Sequence, residues 1–274
     1  MKTLLPGSVV ALIVTSAAMG QSFNVAVGPT LVQPSPAYGA AGVAGYWNAI
    51  PAYHNTTTND IRQLDGTVTN VDVWQYGGTE LRSTNDPGTS GNDARLMDYC
   101  QVTYTTNLET CLFFYNLQLG EYEVLNYAMM PAEPGVLSYT SCDEEPGQPH
   151  HTVGGAWPGQ HVEEVTYSRH RAVVTAANGL LRLHSGIVPG EDPAMGAAFN
   201  GVQIRKLPPK SPGDMDCNGS VDGADLRGFV DALLMPSAYY SSQPACRIDN
   251  ADLNDDGQMT AADVEPFVEA LVSQ

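Results

Sequence analysis

Basic residues are scarce in this 274-residue chain: twelve Lys and Arg stand against thirty Asp and Glu, for a net charge of −18. Nucleic acid demands a basic face for its phosphates, so that class of partner is excluded. Anionic lipid surfaces are excluded on the same ground. Long apolar runs are scarce too. The single one lies in MKTLLPGSVVALIVTSAAMGQS, where Lys2 precedes an apolar stretch from Val9 to Ala18 and small residues close it. It is too short to span a bilayer, and the pattern is that of a secretory signal peptide over residues 1–20. The expectation is a secreted or cell-surface protein without a membrane span. Absent as well are an amphipathic helical pattern longer than two turns before residue 207 and a G-x-S-x-G elbow around Ser185-Gly186.

Five cysteines in an exported chain are disulfide candidates. Cys217 and Cys246 form the expected pair near the C-terminus. Upstream, one further bridge is expected, either Cys100–Cys111 or Cys111–Cys142, with one thiol left over. The acids divide the chain as well. From Pro212 onward twelve acids face only Arg227 and Arg247, which places −10 of the net charge in the last 63 residues. LPPKSPGD (207–214) has linker chemistry. The expected organisation is a main domain over 21–206, a linker over 207–213 and a small acidic domain over 214–274.

The main region reads as all-β. Turn residues recur every 8–12 positions, and apolar–polar alternation marks GTVTNVDVWQY (66–76) and YCQVTYTT (99–106). In RAVVTAANGLLRLHSGI (171–187), Asn178-Gly179 between two β-prone runs predicts a hairpin with positive φ at both central residues. FFYNLQLGEYEVLNYAM (113–129) reads as strand, Gly turn, strand. The architecture expected is a β-sandwich of jelly-roll type. YWNAI (46–50), LMDY (96–99), NLQLGEYEV (116–124) and AAFNGVQI (197–204) resemble pieces of secreted galactose-binding-like β-sandwich domains. That resemblance implies a fold and a glycan or other surface ligand for residues 21–206.

No catalytic set is legible here. His150, His151 and His161 could seed a metal site, but their spacing fits no helix and they read as solvated loop histidines. Asp143-Glu144-Glu145 reads as a surface acidic loop, because glycoside hydrolysis needs two carboxylates facing one bond. Trp74, inside a strand pattern, reads as core. Trp47 and Trp157, beside Gly and Pro, are the candidates for exposed rings that stack on sugar.

The acidic region repeats. DMDCNGSVDGAD (214–225) precedes LRGFVDALL, and DLNDDGQMTAAD (252–263) precedes VEPFVEALV. Positions 1, 3 and 5 are Asp214, Asp216 and Asn218, then Asp252, Asn254 and Asp256. Position 6 is Gly219 or Gly257. Position 7, whose backbone carbonyl ligates, is Ser220 or Gln258; position 9 is Asp222 or Thr260; position 12 is Asp225 or Asp263. This is the EF-hand arrangement of oxygen ligands with Asp at its end, and it predicts two Ca2+ ions. Leu226, Phe229, Val230, Leu233 and Leu234 match Val264, Phe267, Val268, Leu271 and Val272, one apolar stripe per helix. Val221 and Met259 are expected to bridge the loops as a short β-pair.

The loop–helix pair over residues 213–274 resembles a type I dockerin domain. The resemblance implies a small α-helical fold with calcium-dependent folding, and docking onto a cohesin-like partner. The expected function is an exported non-catalytic protein, a sandwich that binds carbohydrate or another surface ligand and a tail that attaches it. The alternatives are a polysaccharide-degrading glycoside hydrolase or lyase, and a structural component of the cell envelope.

Overall fold

A computed structural model describes residues 20–78, 80–105, 109–243 and 246–273. The expected signal peptide thus falls almost wholly outside the described residues. In chain order the elements are β1 (Ser22–Val27), β2 (Trp47–Ile50), β3 (Thr56–Thr58), β4 (Asp72–Tyr76), β5 (Glu80–Ser83), α1 (Gly91–Met97), β6 (Tyr99–Thr103) and β7 (Thr110–Tyr115). There follow β8 (Gly120–Tyr127), β9 (Leu137–Cys142), β10 (His151–Gly154), β11 (Tyr167–Val174), β12 (Leu181–Ile187), β13 (Ala197–Phe199) and β14 (Gly201–Lys206). The C-terminal region adds α2 (Asp225–Leu234), α3 (Pro236–Ser242) and α4 (Val264–Val272).

The strands form a sandwich. One sheet has the order β11-β8-β14-β1-β2, the other β10-β9-β12-β7-β4-β3, and β13-β6-β5 make a small third sheet. Side chains that alternate inward from the two large sheets meet in one core: Phe23 and Val25, Val73, Leu112 and Phe114, Tyr122 and Val124, Leu181 and Leu183, Val202 and Ile204. The first sheet is covered on its other face too, so all six residues of β1 are buried. Several of its buried polar groups bond to one another and to the loop above: Gln203 Nε2 donates to Asn24 Oδ1 and to the Val43 carbonyl, and Asn48 Nδ2 donates to the Asn24 carbonyl. The second sheet leaves its outer face to solvent.

Two strand pairs expected from turn signals are corners instead of hairpins. β11 pairs with β8 in the first sheet, whereas β12 pairs with β7 and β9 in the second. The Asn178-Gly179 turn therefore carries the chain from one sheet to the other. Only Gly179 has positive φ there (62°), and its carbonyl accepts from Leu117 N, in the neighbouring β7–β8 crossover. A two-residue signal reports a reversal of direction. It does not report whether the strands that follow share a ladder.

Of the cysteines, Cys217 and Cys246 are bonded as expected. The upstream bridge does not form: Cys100, Cys111 and Cys142 are free and buried. β12 lies between β7 and β9, so Cys111 and Cys142 stand two strands apart, about 9–10 Å at the usual strand spacing. Cys142 also points into the core, while Cys111 faces outward beside His184. Neither separation nor direction permits a bridge.

The C-terminal region has its own core of Met215, Phe229, Ala232, Tyr239, Cys246, Ile248, Ala251 and Phe267. The segment between the acidic loops, unassigned by periodicity, supplies α3 and its fully buried Tyr239, whose hydroxyl lies 3.0 Å from the Met215 carbonyl and 2.9 Å from that of Arg247. Residues 207–213 are not a free tether. Leu207 is buried and donates its N–H to Glu121 O, while Ser211 N and Gly213 N donate to Asn250. The region docks on the first sheet through arginines. Arg205 donates to the Cys246 carbonyl, Arg247 pairs with Glu121, Arg171 pairs with Asp249, and the Arg169 guanidinium lies 3.6 Å from the Tyr240 ring centroid. Among the described residues no helix is long and apolar enough to cross a membrane.

Candidate functional site

The two acidic loops fold alike, bond for bond. At position 1, Asp214 accepts from Asn218 N and Gly219 N (3.1 and 3.0 Å), as Asp252 accepts from Asp256 N and Gly257 N (3.1 and 3.2 Å). At position 3, Asp216 and Asn254 each accept from the N–H at position 5. Asn218 and Asp256 in turn accept from position 7, and Asp222 and Thr260 accept from position 11. Asp225 and Asp263 each accept from positions 2, 3 and 9. Position 4 has positive φ in both loops (Cys217 55°, Asp255 58°), as does the glycine at position 6 (92° and 81°). Glycine is needed there because the left-handed turn penalises a Cβ.

Four of these carboxylates are nearly inaccessible: Asp214 3 %, Asp225 0 %, Asp252 5 % and Asp263 0 %. Burial raises the Asp214 pKa above its ordinary value against the hydrogen bonds that stabilise its charge. Oxygens of Asp214, Asp216 and Asp225 lie within 4.8 Å of one another. The Lys210 ammonium reaches the second loop, 3.3 Å from Asp252 and 2.6 Å from Asp255. Clustered, buried carboxylate oxygens on a turn are the donor set of a hard cation, and they are costly to bury without one.

The duplicated helices divide their apolar residues between two faces. Phe229 and Phe267 are buried, and Leu233 and Leu271 are half-buried against them. Leu226, Val230 and Leu234 are instead 52, 41 and 73 % exposed, and Val264, Val268 and Val272 are 43, 50 and 76 % exposed. The expected single stripe is thus a core seam plus an outward ridge, present twice. Among the described residues no bridge pairs Val221 with Met259; both pack half-buried on the tail core.

On the sandwich the tryptophans exchange roles. Trp47 is 3 % exposed, its Nε1 donating to the Tyr38 carbonyl, and Trp157 packs against the cluster around it. Trp74 faces outward, because Val73 and Gln75 on either side of it point into the interior at 0 % exposure. β4 pairs with β7 so that Trp74 stands opposite Phe113, and Phe113 stands opposite Arg182. The Trp74 ring lies 4.8 Å from Phe113 and 5.5 Å from Tyr76, and its Nε1 donates to Asn55 Oδ1. Tyr76 is 40 % exposed and meets His54 at 4.7 Å. The alternation needed to place Trp74 was present in the sequence. The ring row required the register between β4 and β7.

The three histidines do not assemble. His150 stacks on Tyr139 at 4.9 Å, His151 contacts Glu164, and His161 is buried against Tyr38. Burial lowers the His161 pKa to about 4, although Asp93 opposes the shift. The Asp143-Glu144-Glu145 run is likewise no solvated loop. Glu144 binds Arg182, Glu145 binds His170, and Asp143 lies between Arg182 and His184. His184 also has Glu109 3.1 Å from Nδ1 and Cys111 Sγ at 3.3 Å. Burial works against a charged imidazole there, but Cys111, Glu109 and Asp143 outweigh it and push the His184 pKa up to about 10. The His184 hydrogen bond chiefly holds Glu109 below the usual carboxylate range. Ser185 is buried and donates to the Ala198 carbonyl.

No family model and no curated protein matches the chain. Among solved structures, it is similar to the ANX1 ectodomain from Arabidopsis thaliana (14 % identity, TM-score 0.38, 67 % of this chain and 47 % of that one). It is similar also to a Bacteroides uniformis β-glucuronidase (13 %, TM-score 0.33, 59 % and 20 %). A third is the CBM36-1 domain of a multidomain xylanase from the hindgut metagenome of Trinervitermes trinervoides (12 %, TM-score 0.28, 51 % and 99 %). The chain spans less than half the length of the first two.

Proposed function

We propose that this is an exported, non-catalytic binding protein whose sandwich takes carbohydrate and whose tail, loaded with two calcium ions, attaches it to a cohesin-like partner as a dockerin does. The in-register duplication of the loops carries the reading. One ion would be held by Asp214, Asp216, Asn218, the Ser220 carbonyl, Asp222 and Asp225. The other would be held by Asp252, Asn254, Asp256, the Gln258 carbonyl, Thr260 and Asp263. A bound cation offsets the buried negative charge and ties position 1 to position 12, so the loop and first helical turn close together. The ridge of Leu226, Val230 and Leu234, repeated in Val264, Val268 and Val272, supports attachment, because docking of the tail on the sandwich leaves both copies in solvent.

Trp74, Phe113 and Tyr76 support carbohydrate binding, since ring faces stack on the apolar faces of sugars while Asn55 and Arg182 offer polar contacts beside them. Beside the ring row, Glu109 and Asp143 both engage His184, and Glu109 is held below the usual carboxylate range, so this pair does not offer the raised carboxyl that a glycosidase's acid needs. A glycan array probed with the full chain, in calcium and then in chelator, tests the reading. Binding to a sugar class that Trp74→Ala abolishes supports it; release of reducing ends from any bound glycan overturns the non-catalytic part.

A further inference from the structure

At the open edge of the sandwich, where β10 of one sheet meets β11 of the other, three ligating side chains converge. Glu145 follows β9, His151 begins β10 and His170 lies in β11, and a ligand atom of each falls within 4.8 Å of the other two. His170 is 1 % exposed, its Nδ1 2.6 Å from Glu145 Oε2. The His151 and His170 rings meet edge to face at 4.9 Å.

Every one of the three is held from behind. His151 Nδ1 lies 2.7 Å from Glu164 Oε1, His170 Nε2 lies 2.9 Å from Ser168 Oγ, and Ser168 Oγ accepts from Thr140. Glu145 Oε1 accepts from Arg171 N. The carboxylate on His151 Nδ1 fixes the proton there and leaves Nε2 as a bare acceptor. That Nε2 is buried and has no hydrogen-bond partner, an arrangement that costs free energy unless something fills it. Imidazoles backed by a carboxylate or hydroxyl are the outer-shell pattern of transition-metal sites.

We propose that Glu145, His151 and His170 bind a divalent transition-metal ion of the zinc class. The ion takes the place of the proton between His170 Nδ1 and Glu145 Oε2 and accepts the His151 Nε2 lone pair. Small side-chain rotations bring the three donors to about 2.0–2.2 Å from one centre. Two nitrogens and one oxygen suit zinc, and not the hard cation of the acidic loops. The site pins an edge strand of one sheet to an edge strand of the other and leaves a fourth position open. The nearby Glu109–Cys111–His184 group is the weaker candidate, because both ring nitrogens of His184 already face carboxylates, Glu109 at Nδ1 and Asp143 at Nε2.

The test is zinc titration of the full chain against a chromophoric chelator, in saturating calcium. One zinc ion per chain is expected. His151→Ala and Glu145→Gln should each weaken it at least tenfold, and Glu164→Gln, which removes only the backing carboxylate, by roughly tenfold. Far-ultraviolet circular dichroism of each variant must match the wild type; Glu164, on the surface, keeps the test usable if a buried variant misfolds. The Asp214→Ala, Asp252→Ala pair should bind zinc unchanged. Cobalt-loaded protein should show no thiolate-to-cobalt charge transfer. Absence of zinc uptake, retention of full affinity in His151→Ala, or a thiolate band that places the ion at Cys111 would each overturn the proposal.

Discussion

Phe229 and Phe267 stack face to face, ring centroids 4.0 Å apart and planes 2° from parallel. Each stands four residues beyond the last acid of its loop, so the contact joins the two copies of the repeat at equivalent points. Phe267→Ala should cost about 3–5 kcal/mol of tail stability, because a fully buried ring is lost at a seam that cannot collapse around the gap. Val268→Ala, on the exposed ridge, should stay within about 0.5 kcal/mol while weakening any partner bound there. Urea denaturation of both variants checks the contrast.

Calcium should raise the unfolding midpoint of the full chain, with about 2.7 kcal/mol gained at a hundredfold excess over Kd. Asp214→Ala with Asp252→Ala should abolish that gain and the accompanying rise in helical signal, whereas His150→Ala should leave both untouched. Scanning calorimetry in calcium and in chelator reads the difference; an unshifted wild type would remove calcium from the proposal.

Lys210 already places a cation at the second loop, held there chiefly by Asp255. It has no counterpart in the first loop among the described residues. Lys210→Ala should therefore tighten calcium at one of two sites only. The surface position limits the gain to about 1 kcal/mol, or about fivefold. Calorimetric titration resolves the two affinities, and equal tightening of both would refute the assignment.

Trp74→Ala should lower affinity for a bound glycan by about 2 kcal/mol, some 30-fold. Its stability should change by less than about 1 kcal/mol, since the ring is half-exposed. Trp47→Ala should do the reverse, destabilising the fold by about 3–5 kcal/mol. Affinity electrophoresis in polysaccharide gels, paired with thermal melts, separates the two.

Asp249 sits between Arg171 and Arg247. Burial works against its charge, but hydrogen bonds from Arg247 and the field of Arg171 outweigh it and hold its pKa at about 2. A folded value below the unfolded one near 3.9 gives stability that is complete above pH ~4 and is lost as pH falls through about 2. The full difference is worth about 2.6 kcal/mol, and solvent screening of this partly exposed cluster leaves about 2 kcal/mol of it. Asp249→Asn should be less stable than the wild type by at least that amount near neutrality, and the gap should narrow between pH ~4 and 2. A gap independent of pH would show that Asp249 is not ionised in the docked tail.

What the sequence alone determined is local. Alternation in 66–76 marked β4 in that segment's C-terminal half, because side-chain direction follows a period of two residues wherever one face is buried. The run from Tyr99 to Thr103 became β6. The acidic loops were legible residue by residue, since a turn that wraps one ion draws its donors from twelve consecutive positions. Cys217 and Cys246 could be paired because they were the two cysteines in one composition block. Tertiary structure decided everything that depends on which strands become neighbours. Asn178-Gly179 turned a corner between sheets, since β11 pairs with β8 in one sheet and β12 with β7 and β9 in the other. Cys111 and Cys142 stayed apart because β12 entered between their strands. Trp74 and Trp47 exchanged roles because only the first sheet is covered on both faces. The tail lay down on that covered sheet through Arg205, Arg247 and Arg169, contacts between residues far apart in the chain and therefore invisible to any short window. Glu145, His151 and His170 meet for the same reason: their approach is fixed by the edge where two sheets close, and no spacing in the sequence encodes it.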